Sequence, residues 1–173
     1  TLRAAFDTDG RLIASHADYA LNNGAYPMGA DANIAVHMFL WAAYNMPAYS
    51  FVSRGWYSNT PGLASYRGPW AIETLARETL LDRAARQIGI DPIEIRRRNL
   101  CTAADQPSVT PLGIPREDIT PARCLEKLLA VVDVPAFRAE QAADQVVCRR
   151  YAAAANQFVL DRRIDPCMSE VLA

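Results

Sequence analysis

Residues 58–70 are the stretch of this sequence whose residue types and spacing are best suited to chemistry. Serine, asparagine, proline and glycine are too dense there for a helix or a strand, so the stretch predicts a loop. The loop carries Tyr66, Arg67 and Gly68 to the start of a helical pattern. The first N–H groups of a helix lack partners and the helix dipole is positive there, so we expect this loop to hold an anionic or oxo group.

The other residues with chemical potential have simpler explanations. The sequence contains no glycine-rich nucleotide loop, no nucleophile elbow and no paired-histidine metal motif. Residues 96–98 are three arginines that could grip a phosphate, but a solvated helix face is the simpler explanation. His16 and His37 have no third ligand at a metal-like spacing, so we interpret both as ordinary side chains and predict no metal ligand. The four cysteines are far apart, which argues against zinc and iron–sulfur sites.

The elements that position the loop begin with strands. Residues 2–6 and 11–21 flank Asp9-Gly10, a strong hairpin-turn sequence. Residues 49–57 are rich in aromatic and β-branched side chains and predict a third strand. One face of the second hairpin arm is the more apolar, and we expect it to be covered. That face consists of Ile13, Ser15, Ala17, Tyr19 and Leu21.

Helices are predicted on both sides of the loop. Residues 30–44 predict a helix that begins at Asp31 and whose covered side carries Ile34, Met38 and Trp41. Residues 69–88 predict the clearest helix, which ends at Gly89. Its expected apolar stripe is Ile72, Leu75, Ala76, Thr79, Leu80, Ala84 and Ile88. Its expected i,i+4 ion pairs join Glu73 to Arg77 and Asp82 to Arg86.

The rest of the chain continues as helices. Asp91 and Pro92 start a short helix, with Asp91 as its N-cap. Residues 101–118 predict a proline-containing loop, and further helices follow from Thr120 and from residue 135 to about residue 147. The sequence therefore predicts an α+β fold, in which an N-terminal β-hairpin and strand precede a cluster of helices.

Composition narrows the classes of function. The chain has 173 residues and a net charge of -1, which predicts neither a nucleic-acid surface nor a strongly charged partner. No apolar run approaches the length of about 20 residues that a membrane span needs, so we expect no membrane segment. The chain opens without a signal peptide, which favours a cytoplasmic protein with reduced thiols. It also opens without methionine, so we expect it to be part of a longer polypeptide.

Two longer motifs give the loop a specific interpretation. Residues 65–73 are SYRGPWAIE, and residues 84–100 are AARQIGIDPIEIRRRNL. With the upstream segments DGRL, GAYP and YSNTP, they resemble the molybdenum-binding large subunit of the xanthine dehydrogenase / aldehyde oxidase / carbon monoxide dehydrogenase family. The resemblance covers about residues 1–140, and its pieces occur in the family's order and spacing.

The resemblance implies a role for the loop at a molybdenum centre. In that family a Tyr- or Phe-Arg-Gly loop reaches the metal, so Arg67 is implied as a catalytic residue that stabilises charge on oxo and sulfido ligands. Gly68 would let the backbone approach closely, and Ser65 and Tyr66 would shape the cofactor-binding loop. The implied cofactors are molybdenum-molybdopterin in this subunit, with iron–sulfur clusters and FAD on partner subunits or domains.

Several departures from the family pattern bear on the substrate. Residues 69–72 read PWAI, where many members have another small residue after the glycine and then Arg-Pro-Glu or Gly-Pro-Gln. Gly68 stands where copper-containing carbon monoxide dehydrogenases have cysteine, which argues against that activity. The arginine that orients purines in that branch has no counterpart near Ala35 or His37, so a purine substrate is unsupported.

The family pattern also predicts how the chain divides. Residues 1–147 are expected to form a partial molybdopterin-binding domain, and residues 148–173 a divergent tail that is disordered or out of frame. A Gly-Gly-x-Phe-Gly cofactor loop would precede residue 1, and the general-base glutamate would follow residue 173. The predicted parent reaction is hydroxylation of an aldehyde or N-heterocycle with oxygen from water, and we expect the chain to be inactive alone. The alternatives are a cofactor-free helical scaffold domain and a non-functional gene remnant.

Overall fold

The turn at residues 7–11 joins two antiparallel strands, β1 (Leu2–Phe6) and β2 (Leu12–Asn22). Gly10 has a φ of +77°, a conformation that glycine adopts without steric cost. The Asp7 carboxylate accepts two backbone N–H groups within the turn, at 2.9 and 2.8 Å. The predicted hairpin is therefore confirmed in both its position and its turn.

A third strand, β3 (Ala48–Trp56), completes the sheet by pairing in parallel with β2, so that the order is β1-β2-β3. This strand lies within one residue of its predicted position. Parallel neighbours need a crossover connection, and the chain between β2 and β3 supplies a helix for it. The sheet is the platform on which the helices pack.

The covered face of β2 is only partly the predicted one. Ser15 and Ala17 are buried as expected, whereas Ile13 is 49% exposed and its neighbour Leu12 is 5% exposed. The pairing register shifts at the last residues of β1, and a one-residue shift exchanges the two faces of a strand. The alternation predicted from the sequence is therefore wrong at the start of the strand and correct in its middle.

The computed structural model describes residues 1–26, 32–62 and 71–143, and the chain divides into two units. The first unit, Thr1–Leu125, contains the sheet and the first three helices discussed next. The second unit begins at Glu126, and helical residues there include 134–143. No helix among the described residues has the length and apolar character that a membrane crossing requires.

The crossover helix α1 (Ala32–Leu40) is shorter than predicted, and Asp31 lies outside the described residues. Its buried side chains include Val36, His37 and Leu40, while Ile34 is 54% exposed. The predicted buried side of this helix is therefore wrong at its N-terminal end. The packing surface is rotated toward His37, which stacks on the sheet.

The long helix α2 (Ala71–Ile88) ends at Gly89, as predicted. Its buried residues are Glu73, Leu81, Ala84 and Ala85. Leu75 is 70% exposed and Ile72 is 51% exposed, so the first half of the predicted apolar stripe is wrong. That half of the helix borders an open groove beside β1 instead of a closed core.

Both ion pairs predicted within α2 are replaced by contacts to other residues. Arg77 pairs with Glu78 at 2.8 Å, and Asp82 pairs with Arg96 at 2.8 Å. Glu78 is the next residue of the same helix, whereas Arg96 belongs to a neighbouring element. An exposed i,i+4 pair would stabilise the helix by only about 0.5 kcal/mol or less.

The remaining elements follow in sequence order. Helix α3 spans Pro92–Asn99, with Asp91 as its N-cap, and a short 3₁₀ turn spans Ala103–Asp105. A small hairpin of β4 (Ser108–Val109) and β5 (Pro115–Arg116) precedes helix α4 (Pro121–Val131). The α+β fold class is thus confirmed, and the predicted tail at 148–173 lies outside the described residues.

Candidate functional site

The four site residues predicted from the sequence all lie outside the described residues. Ser65, Tyr66, Arg67 and Gly68 belong to the segment 63–70, so their roles stay predictions. The structure does describe the residues on both sides of this segment. These two ends are residues 58–62, which follow β3, and the first turn of α2.

The first end is held by backbone hydrogen bonds to the turn that follows β2. The N–H of Ser58 donates to the carbonyl oxygen of Gly24 at 3.1 Å, and the N–H of Ala25 donates to that of Thr60 at 2.9 Å. These two bonds run in opposite directions between the same two segments. They fix the chain that leaves β3 against the chain that leaves β2.

Asn22 adds a side-chain anchor to the same end. Its Oδ1 accepts the N–H of Gly24 at 3.0 Å and the hydroxyl of Ser58 at 2.9 Å. The hydroxyls of Ser58 and Thr60 lie 2.9 Å apart, which extends the chain of hydrogen bonds. One amide side chain therefore links the end of β2 to the segment that enters the predicted loop.

Glycine is required where these two segments cross. Gly24 has a φ of +70°, and a Cβ atom there would collide with the carbonyl group of Pro61. A side chain at this position would push the two backbones apart. Gly24 therefore fixes how closely the start of the predicted loop approaches the sheet.

The second end is the first part of α2, which is anchored to the end of α1. The guanidinium of Arg77 donates to the carbonyl oxygen of Leu40 at 2.8 Å and lies 5.5 Å from the ring of Tyr44. The hydroxyl of Tyr44 donates to Glu78 at 3.1 Å. Burial, together with the Glu78 charge, raises the pKa of Tyr44 to about 12, so this phenol stays a donor.

Helix α3 also contacts α2, through the side chain of Arg96. Arg96 donates to Glu78 and to Asp82, each at 2.8 Å. Burial acts to lower the pKa of Arg96, but the hydrogen bonds to the two carboxylates outweigh it and raise that pKa. The interpretation of the three arginines as a solvated face is therefore wrong for Arg96, whose side chain is 20% exposed. Arg97 is exposed and pairs with Glu94 at 3.0 Å.

Asn99 connects the end of α3 to the hairpin. Its Nδ2 donates to the carbonyl oxygens of Gly10 and Ile95, each at 2.7 Å. Its Oδ1 accepts the N–H of Leu12 at 2.7 Å. The asparagine in the matched motif is thus a structural residue that holds the hairpin to α3.

Neither histidine assembles a metal site in the described part of the chain. His16 Nδ1 lies 2.8 Å from the hydroxyl of Ser50, and His37 Nδ1 lies 2.8 Å from that of Tyr49. No group of three or more His, Cys, Asp or Glu side chains that could hold a metal ion occurs among the described residues. The sequence missed that His37 and Glu73 are both buried and line the same cavity.

Comparison with known proteins identifies the class to which this arrangement belongs. Residues 1–100 match the model of the molybdopterin cofactor-binding domain. The chain is 32% identical over 148 residues to the nicotine 6-hydroxylase large subunit of Paenarthrobacter nicotinovorans, a match that covers 82% of this chain. It is 35% identical over 135 residues to the xanthine dehydrogenase molybdenum-binding subunit of Escherichia coli O157:H7, covering 76% of this chain.

A solved structure agrees with these sequence matches. Quinoline 2-oxidoreductase from Pseudomonas putida 86 superposes with a TM-score of 0.75 and 33% identity, over 84% of this chain. The chain belongs to the molybdopterin-binding large subunits of the xanthine dehydrogenase / aldehyde oxidase / carbon monoxide dehydrogenase family. It spans 18% of the length of each of the two curated relatives and 19% of the quinoline enzyme chain.

The described residues fit a cofactor-binding role in one definite respect. The crossing at Gly24, where a Cβ would collide with the Pro61 carbonyl, holds one end of the segment 63–70. The Arg77 and Glu78 contacts hold the helix that receives the other end. The described residues therefore fix the chain on both sides of the segment 63–70.

Proposed function

We propose that this chain forms one wall of the molybdenum pocket in the large subunit of a molybdenum hydroxylase. The parent reaction would hydroxylate an aldehyde or an N-heterocycle with oxygen derived from water. The electrons would leave through iron–sulfur and FAD groups on partner subunits or domains. The match of residues 1–100 to the molybdopterin cofactor-binding domain carries this proposal.

Within that pocket the segment 63–70 supplies the contacts. When bound, the molybdenum cofactor provides the oxo and sulfido ligands and accepts the electrons. Arg67 places a fixed positive charge where negative charge develops, and a preorganised charge in a dry site needs no reorganisation. Gly68 lets the backbone approach the cofactor, and Ser65 and Tyr66 shape the loop around it.

The names of the relatives support the broad substrate class. They are called nicotine 6-hydroxylase, quinoline 2-oxidoreductase and aldehyde oxidoreductase. Gly68 disfavours the copper-dependent oxidation of carbon monoxide, which in this family goes with a cysteine at that position. The sequence PWAI at residues 69–72 gives this wall its own shape, so we expect a substrate preference distinct from that of members with smaller residues there.

The chain by itself is proposed to be an inactive part of the subunit. Its matches cover less than a fifth of each of the relatives named above, and the remainder of the large subunit would supply the general base and most pterin contacts. The purified chain should therefore oxidise no aldehyde with a dye acceptor and should bind less than stoichiometric molybdenum. We also propose a cytoplasmic location, which the lack of a secretory signal in the sequence favours.

A substitution of Arg67 in the complete, cofactor-loaded subunit tests the proposal. Arg67→Lys keeps the charge but removes the planar, multidentate donor group. We expect kcat to fall by about 100-fold or more with an unchanged molybdenum content, which is typical of losing one preorganised donor. Arg54→Lys is the matched control, because Arg54 lies on β3 and pairs with Asp18 at the surface.

One result would contradict the role of Arg67, and two others would favour a different function. An unchanged kcat in the Arg67→Lys subunit would remove this residue from catalysis. A chain that melts cooperatively while Arg67 is paired on the surface, far from any cleft, would favour a cofactor-free scaffold domain. A chain with no cooperative transition, encoded without a Gly-Gly-x-Phe-Gly sequence upstream or a Gly-x-Gly-Glu sequence downstream, would favour a gene remnant.

A further inference from the structure

Strand β1 is an edge of the three-stranded sheet, whose order among the described residues is β1-β2-β3. The terminal nitrogen of Thr1 donates to the Asp18 carbonyl at 2.6 Å, and the N–H of Asp18 donates to the Thr1 carbonyl at 2.8 Å. Bonded and non-bonded pairs alternate along an antiparallel ladder, so Leu2 and Ala4 occupy non-bonded positions. Their backbone N–H and C=O groups therefore point away from β2, toward the open edge.

The same edge borders an open groove between β1 and α2. Its volume is about 770 Å³. The half-buried side chains of Leu2, Ala4 and Phe6 line it from β1. Helix α2 contributes a mostly apolar stripe to the lining, in which Ile72 and Leu75 are more than half exposed. Apolar side chains and open backbone groups thus lie beside each other along one edge of the sheet.

The charged side chains of the described lining are positive. They belong to Arg3 and Arg83, and neither has a carboxylate partner within the described part of the chain. Arg3 alternates with Leu2 and Ala4, so its side chain lies on the face of the sheet that points away from α2. The terminal ammonium of Thr1 adds a further positive charge at the same end of β1. The edge therefore favours a partner that carries negative charge.

These features define the form of the partner. Native proteins usually protect an edge strand with charges, proline or a covering element, yet Leu2–Phe6 contains one charged residue and no proline. A strand that pairs with this edge places every second side chain in the groove and the others beside Arg3. The partner that fits is an extended segment in which apolar residues alternate with acidic ones.

The source of such a strand follows from charge and from chain length. A second copy of this chain would bring a second Arg3 to the edge, and its own β1 has no carboxylate to offer. The chain spans less than a fifth of the length of the curated relatives and of the quinoline enzyme chain named above. Most of a large subunit is therefore available to supply the strand.

We propose that a strand from the remainder of the large subunit adds to the open edge of β1 and fills the groove beside α2. The backbone of Leu2 and Ala4 bonds to this strand, whose apolar side chains pack on Ile72 and Leu75. Its carboxylates face Arg3 and Arg83. This inference rests on the proposed function, because it takes the chain to be part of a large subunit. It identifies the surface through which the chain joins the rest of that subunit.

Amide hydrogen exchange in the purified 173-residue chain and in the complete large subunit tests the proposal. The N–H of Ala4 should exchange at least about tenfold more slowly in the complete subunit, because a new ladder bond protects it. The N–H of Arg3 bonds to β2 and is the internal control, protected in both. Equal exchange of the Ala4 N–H in the two samples would overturn the proposal. Protection already present in the chain alone would do the same, because another segment of this chain, or a second copy if protection rises with concentration, would then cover the edge.

A matched pair of substitutions on α2 tests the groove itself. Leu75→Asp places a charge among the apolar side chains, so exchange of the Ala4 N–H in the complete subunit should rise at least about tenfold. Thr74→Asp is the control, because Thr74 is exposed and does not belong to the described lining. Thermal melts of the 173-residue chain should be unchanged by both variants. Failure of only the Leu75→Asp subunit to fold would also support the proposal, and equal exchange in the two folded subunits would contradict it.

A second matched pair tests the charge of the partner. Arg3→Glu should speed exchange of the Ala4 N–H in the complete subunit, because it sets a negative charge beside the proposed carboxylates. Arg86→Glu on the exposed surface of α2 should not, since Arg86 is outside the described lining. Equal exchange in the two variants would remove the acidic character from the partner.

These measurements are separate from those that test the proposed function. A subunit that holds molybdenum and turns over substrate while the Ala4 N–H exchanges freely would overturn this inference alone. A protected Ala4 N–H in a complete subunit that binds no molybdenum would overturn the proposed function and leave the docking surface in place.

Discussion

Two polar regions at opposite ends of the contact surface of α2 differ in how completely they satisfy themselves. At the α2–α3 junction, Glu78 and Asp82 both pair with Arg96, and Asn99 makes three hydrogen bonds to the backbone. At the α1–α2 cavity, His37 and Glu73 each leave one buried atom without a described partner. Both regions are built from one helix that packs on its neighbours.

The difference separates a region whose buried polar groups are bonded from one in which two buried atoms lack partners. A buried network whose members are all bonded rigidifies the fold, whereas a partly satisfied one costs stability. The α2–α3 junction is therefore stabilised by contacts made within this unit. The unpartnered buried atoms at the cavity lower the stability of the fold, so substitutions should affect the two regions in opposite ways.

The largest expected effect is at the junction. Asn99→Ala removes the partner of Leu12 N–H and of the Gly10 carbonyl, both of which hold the hairpin to α3. Unpaired buried backbone groups cost about 1–3 kcal/mol each, so we expect a loss of about 3 kcal/mol in the free energy of unfolding. Urea denaturation measures it, and the exposed Asn59→Ala serves as the control. A loss no greater than that of the control would contradict the assigned role.

Arg96→Met is expected to have the next largest effect. The substitution keeps much of the aliphatic stem but leaves Glu78 and Asp82 without their shared partner, which should cost about 2 kcal/mol. Arg86→Met is the matched control, since the sequence predicts Arg86 as the partner of Asp82 but the structure gives that place to Arg96. Equal losses in the two variants, measured by urea denaturation, would restore the pairing predicted from the sequence.

That contrast shows which parts of the fold the sequence could predict. Asp9-Gly10, Gly89 and Asp91 act through local geometry, so the turn, the helix end and the N-cap were predicted correctly. The partner of Asp82 was not, because Arg96 comes from α3. Arg77 pairs with its neighbour Glu78 and also donates to the Leu40 carbonyl of α1, which the sequence did not predict. Contacts between elements depend on how the helices rotate against the sheet, and hydrophobic periodicity is a weak guide to that rotation.

The site divides in the same way. The segment with Arg67 was found through its motif, and the family it indicates is confirmed by the match of residues 1–100. His37 was interpreted as an ordinary side chain because no third ligand stands at a metal-like spacing, and Glu73 was predicted to pair with Arg77. Only the packing of α1 against the start of α2 brings them to the same cavity. No local pattern in the sequence could have indicated that these two side chains line one cavity.

The matched pair Glu73→Gln and Glu78→Gln sharpens the comparison on a single helix. Glu78→Gln weakens the bonds to Tyr44, Arg77 and Arg96 and should lower the free energy of unfolding by about 1–2 kcal/mol. Glu73→Gln replaces a buried carboxylate that lacks a described partner, and should leave stability unchanged or raise it by up to about 1 kcal/mol. Chemical denaturation measures both. A larger loss for Glu73→Gln than for Glu78→Gln would show that the comparison is wrong.

The smallest expected effect is a pH dependence that arises at His37. Burial lowers the pKa of His37 from its ordinary value of 6.5, so the folded state binds fewer protons than the unfolded state at mildly acidic pH. The contribution of the neutral His37 ring to the free energy of unfolding is complete above about pH 6.5. It is lost as the pH falls below that value toward the pKa of His37 in the folded state. Tyr19, Tyr49, Asp18 and Glu73 face or adjoin the ring, and none of these has an ordinary pKa between 5 and 8.

The variant His37→Gln separates this effect from the titration of carboxylates. The hydrogen bonds from Arg54 to Asp18 and from Asn45 to Asp105 lower the pKa of each carboxyl group, so their contributions are present above about pH 4 and are lost only below it. Urea midpoints between about pH 8 and pH 5 should therefore fall for the wild type and stay nearly flat for His37→Gln. His16→Gln, at a partly exposed position, should behave like the wild type. If the urea midpoint of both variants still falls with decreasing pH, the buried ring of His37 is not the source of the pH dependence. The stability of the α1–α2 region would then depend on pH no more than that of the α2–α3 junction.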